Sequence, residues 1–124
     1  MTSDIFLYVG SALTVIWGTA HLFPTRSVVS GFGEISVDNR RIITMEWIIE
    51  GVALIFIGIL VATVTSIDSG SPVSSAVYVA SSAALIVLAL VSLFTGYRIK
   101  FLPFKLCPCI FGASAALFLA GTFI

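Results

Sequence analysis

The residues best suited to chemistry fall in three short clusters: Trp17 and His21 late in the first apolar stretch, Glu46, Trp47 and Glu50 early in the second, and Cys107 and Cys109 early in the fourth. Glu46 and Glu50 are four residues apart, so a helix sets both carboxylates on one face at adjacent turns, where they repel unless something compensates. Neither Arg40 nor Arg41 has the spacing to pair with them along a helix. Compensation must come from His21, from Arg98, Lys100 or Lys105, from a bound cation, or from a proton. A histidine and two carboxylates at one level can join two helices by a hydrogen bond, relay a proton, bind a divalent metal or grip the polar head of a ligand. Trp17 lies one turn from His21 and belongs to the same candidate ligand site. Trp47, read as a membrane-interface marker, places Glu46 at headgroup level and Glu50 about one turn deeper.

Cys107 and Cys109 flank Pro108. The reading is that they open the fourth helix, with Cys107 at its cap and Pro108 in its first turn. Two thiols at a helix start could hold a soft metal ion such as copper(I) or do thiol redox chemistry, although packing is the simpler role for a cysteine in an apolar chain. Two cysteines are too few for a disulfide scaffold. No nucleotide-binding loop, HExxH pair or nucleophile elbow occurs.

These side chains must be positioned by apolar elements. Of the 124 residues, 59% are hydrophobic and 10% charged, where soluble domains carry about 25% charged residues. The formal net charge is zero, which leaves no electrostatic footprint for nucleic acid. Four apolar stretches are long enough to cross a bilayer: residues 5–23, 42–67, 73–96 and 104–124. The fold class expected is all-α, an integral membrane four-helix bundle forming a single domain over residues 1–124. The second stretch covers about 39 Å at about 1.5 Å per residue, against a hydrocarbon core of roughly 30 Å, so it tilts or projects into the interface. Met1 to Asp4 is an acidic lead rather than a basic one, so the first stretch reads as a retained helix and not as a signal peptide.

All six Lys and Arg residues fall in two connections, 24–41 and 97–106, which four spans bring to one side. The positive-inside rule then predicts both loops in the cytoplasm, both termini outside, and an outer turn at 66–71 carrying only Asp68. The 24–41 connection is expected to lie on the membrane surface or to fold back over the bundle, with Ser36, Asp38 or Asn39 capping the second helix. Small residues recur every four positions at Gly10, Thr14 and Gly18, at Ala76, Ala80 and Ala84, and at Gly112, Ala116 and Ala120. Such stripes suit close helix packing within the bundle or between copies. Tyr8, Tyr78 and Tyr97 read as interface residues near helix ends.

The segment Gly18, Thr19, Ala20, His21, Leu22, Phe23, Pro24, Glu50 ahead of an apolar run in the second stretch, and the segment Phe104, Lys105, Leu106, Cys107, Pro108 together resemble the DoxX-like group of small four-helix membrane proteins. The resemblance implies a bundle in the prokaryotic cytoplasmic membrane, in some members an accessory to respiratory or sulfur-oxidising quinone enzymes. The function expected is an accessory or ligand-binding bundle holding a lipophile, with a quinone as the cofactor candidate, near His21, Glu46, Glu50, Trp17 and Trp47. Two alternatives stay open: a proton-coupled small-molecule exporter acting as a dimer, and a membrane enzyme using His21 and Glu50 or the two thiols. The partners expected are the lipid bilayer, a second copy or a larger membrane complex, and no nucleic acid.

Overall fold

The computed structural model describes residues 2–124, and among these the regular structure is entirely helical. Five helices follow in order: α1 (Thr2–Leu22), α2 (Thr25–Ser30), α3 (Val37–Asp68), α4 (Pro72–Thr95) and α5 (Leu102–Phe123). All but α2 are long and apolar enough to cross a membrane.

Local chemistry sets most of the helix ends. The Ser36 hydroxyl accepts from the Asn39 N–H at 3.1 Å and starts α3 five residues before the apolar run. Its 32 residues span about 48 Å, so its polar first turns extend beyond any hydrocarbon layer. Pro72 opens α4 behind a Ser71 cap, whose hydroxyl accepts from the Ser74 N–H at 3.1 Å. The turn between α3 and α4 is closed by the Ser74 hydroxyl, which donates to the Asp68 carbonyl at 2.6 Å.

The connections add detail to the expected layout and correct one helix start. The 24–41 connection contains α2, which buries Val29 and leads to Gly33 at φ 73°, a conformation that favours glycine. Helix α5 starts earlier than expected, at Leu102, because Pro103 takes the first-turn position where its missing N–H costs nothing. Cys107 is therefore not a cap, and Pro108 lies inside the helix. There it supplies no N–H to the Phe104 carbonyl one turn back.

Helix α1 packs between α3 and α5, and α4 packs against α5 and, more sparsely, α3. The approach of α1 to α3 is set by glycine. A Cβ at Gly18 would lie 2.8 Å from the Gly51 carbonyl oxygen, and one at Gly58 would lie 2.7 Å from that of Ser11. The Gly10–Thr14–Gly18 stripe is buried as expected, with Gly18 against Gly51 of α3 and Gly10 against Phe118 of α5, while Gly58 of α3 meets Ser11 and Val15 beside the stripe.

The other two stripes do not face the core. Ala76, Ala80 and Ala84 are exposed, as is Ala116, and nothing lies within 4 Å of a Cβ built on Gly112. Helix α4 instead turns Ser74, Tyr78, Ser81, Ser82 and Leu85 inward, and α5 turns Cys107, Phe111, Ser114, Ala115 and Phe118. Tyr78 is a core residue rather than an interface one: it is 1% exposed, and its hydroxyl shares a 3.0 Å hydrogen bond with Thr65 of α3.

Candidate functional site

Helix α1 stops at Leu22, two residues before Pro24, which leaves its last carbonyls without helical donors. The indole N–H of Trp47 in α3 donates to one of them, the His21 carbonyl, at 2.8 Å. The same indole stacks on the His21 imidazole with ring centroids 3.9 Å apart and planes at 16°. Its other neighbour is Phe104 of α5, edge-on at 5.8 Å, and Phe104 in turn meets Phe101 at 6.0 Å. An aromatic series therefore runs from the end of α1 across α3 to the start of α5. Trp47 marks a joint between helices as well as a level along them.

Under this cover the His21 side chain is only 7% exposed. Its Nε2 lies 3.5 Å from Oε2 of Glu50, within ion-pair range, but makes no hydrogen bond. Glu50 is half-buried, and Glu46, one turn nearer the start of α3, is exposed. On the deeper side of His21, the indole N–H of Trp17 is buried and faces the Cys107 thiol, a weak acceptor, without a well-formed hydrogen bond.

These groups border one cavity of about 770 Å³ at the end of the molecule where the basic connections lie. All five residues expected at a ligand site, Trp17, His21, Glu46, Trp47 and Glu50, line it. So does Cys107, while Cys109 does not: successive odd positions on a helix point about 200° apart, and Cys107 is buried where Cys109 is exposed. A shared two-thiol metal site is corrected accordingly. Among the described residues no three His, Cys, Asp or Glu side chains are grouped to hold a metal ion.

The far wall comes from α4, through Leu88, Val91, Ser92 and Thr95, and from the α4–α5 connection and early α5, through Ile99, Phe101 and Phe104. Sequence reasoning missed this wall. Ser92 and Thr95 carry the only signal, as hydroxyls late in an apolar helix, yet both donate to carbonyls of their own helix, at 2.8 and 2.6 Å, so their presence points to no particular face.

No family model, curated protein or solved structure matches the chain. The arrangement of the site is therefore what bears on its chemistry. The walls are mainly aliphatic and aromatic, and the polar groups are few and gathered near one level. That is the general make-up of a small-molecule site, in which apolar area supplies affinity and a few polar groups fix orientation. A buried imidazole beside a carboxylate can also hold or pass a proton.

Proposed function

We propose that this protein is a four-helix integral membrane bundle that binds a lipophilic small molecule, with the polar head at His21, Glu50 and Trp17 and the apolar body between α3 and α4. We place it in the cytoplasmic membrane with loops 24–41 and 97–106 in the cytoplasm and both termini outside. Support for the orientation is the charge pattern: all six basic residues lie in those two loops, and the turn between α3 and α4 carries only Asp68.

The observation that carries the binding reading is His21 Nε2, buried without a hydrogen bond beside Glu50 and an apolar cavity, with the buried indole N–H of Trp17 facing no stronger acceptor than the Cys107 thiol. An unsatisfied buried polar group costs about 1–3 kcal/mol, and a ligand head that pairs with it recovers that free energy. The resemblance to DoxX-like proteins favours a role as an accessory subunit over one as a self-sufficient enzyme, and makes a quinone one candidate.

The test is native mass spectrometry of the protein purified in mild detergent, scoring bound lipophiles and copurifying subunits. The expected result is a stoichiometric lipophile that is lost in Glu50→Gln, with the variant still folded. Protein that carries no lipophile, and takes up none on incubation with a membrane lipid extract, refutes the binding reading.

A further inference from the structure

The charges around the cavity are one-sided. Two carboxylates line it, Glu46 and Glu50, and no Lys or Arg does. His21 can offset one of them at most. None of the basic side chains of the neighbouring connections lines the cavity. Lys105 donates to the Tyr97 carbonyl at 2.9 Å and lies over the Tyr97 ring, 4.9 Å from its centroid. Arg41 is 3.8 Å from Asp38, Arg26 and Arg40 border a separate groove beside α2, and Arg98 and Lys100 are exposed.

The aromatic faces have the matching preference. Trp17, Trp47, Phe101 and Phe104 all line the cavity, and aromatic rings attract cations most strongly where water is excluded. Ile49 and Ala53 of α3 and Val91 and Thr95 of α4 line the cavity while remaining exposed. The cleft between these two helices thus opens sideways, toward hydrocarbon if the helices span a membrane, which suits a ligand arriving from the lipid.

We propose that the cavity takes a lipophilic cation, an ammonium or phosphonium compound whose charge sits beside Glu46 and Glu50 and whose apolar body lies between α3 and α4, against Trp47 and Phe104. This rests on the reading of the cavity as a ligand site and narrows its ligand class. Anionic headgroups meet like charge there. A neutral quinone can use the N–H of Trp17 but leaves the second carboxylate uncompensated.

Equilibrium dialysis of labelled tetraphenylphosphonium against the detergent-purified protein, corrected for uptake by empty micelles, tests the assignment. Tetraphenylborate, of the same shape and opposite charge, and decylubiquinone, a neutral lipophile, serve as comparators. The expected result is saturable phosphonium binding at least about tenfold tighter than borate binding, weakened about tenfold by Glu50→Gln and several-fold by Glu46→Gln. Glu46 is exposed, so its variant keeps the test valid should Glu50→Gln fail to fold. Equal binding of phosphonium and borate, or phosphonium binding undiminished in both variants, overturns the assignment. Saturable binding of decylubiquinone alone, or of no probe at all, overturns the cation assignment, and the lipid-extract experiment then decides separately whether the cavity is a ligand site.

Discussion

The indole of Trp47 donates to the backbone at the end of α1 and covers the ring of His21, so one side chain ties two helices and shields the imidazole beside Glu50. Trp47→Phe keeps an aromatic face and loses the donor. The variant is expected to unfold with about 1 kcal/mol less stability, measured by thermal denaturation in detergent; an unchanged midpoint would mean the hydrogen bond is not formed. Glycines give a sharper contrast. Gly18→Ala drives a methyl against the Gly51 carbonyl, which is backbone and cannot rotate away, and should cost about 1–3 kcal/mol. Gly112→Ala meets nothing within 4 Å and should leave the midpoint unchanged or slightly raised, since alanine is the better helix former. Equal effects at the two positions would contradict the packing of α1 on α3. At this scale the sequence was partly legible. Depth along two apolar stretches placed His21 and Glu50 at one level, whereas the stacking of Trp47 on His21 depends on how the helices are rotated, which spacing does not encode.

Helix limits follow from local chemistry acting where the chain meets it, as at Ser36, Ser71, Pro72 and Pro24; the Ser36 cap was legible in the sequence, whereas the start of α5 was placed too late. Helix faces were read less well. In α4 two small-residue faces compete, alanines at 76, 80 and 84 and serines at 74, 81 and 82, and the serine face with Tyr78 is buried. Its hydroxyls bond within the molecule: Ser82 donates to the Tyr78 carbonyl at 2.8 Å, and Tyr78 meets Thr65 across the α3–α4 boundary. Away from water, burying hydroxyls with partners is favoured over leaving them toward lipid, and alanines can face lipid without cost. Tyr78→Phe should therefore loosen the α3–α4 hairpin by about 0.5–1.5 kcal/mol. Thermal denaturation of the single and double variants with Thr65→Val checks it: additive losses would show that the two hydroxyls do not interact.

The cavity belongs to the molecule as a whole. Helices α3 and α4 are joined tightly at the 68–72 turn, and near the basic connections a cavity lies between them, bordered also by the ends of α1 and α5. The proposed orientation can be tested at the same scale. In a Cys107→Ser, Cys109→Ser background, Asp68→Cys is expected to react with a membrane-impermeant maleimide in intact cells, and Arg98→Cys only after lysis. The reverse pattern would invert the topology and move the cavity to the outer side.

The sequence by itself determined four long apolar helices, their approximate limits and the gathering of the basic residues into two connections, because hydropathy, caps and prolines act through neighbours along the chain. It also placed His21, Glu46 and Glu50 at comparable depth, because depth along a helix is only a count of residues. The tertiary structure decided which faces meet: that Gly51 and Gly58 admit α1, that Tyr78 lies in the core, that Cys107 and Cys109 point apart, and that α4 closes the cavity. Those outcomes depend on the rotation of each helix about its axis. In an apolar chain almost any face can meet lipid or protein, so steric fit and the pairing of a few polar atoms across helices choose among them.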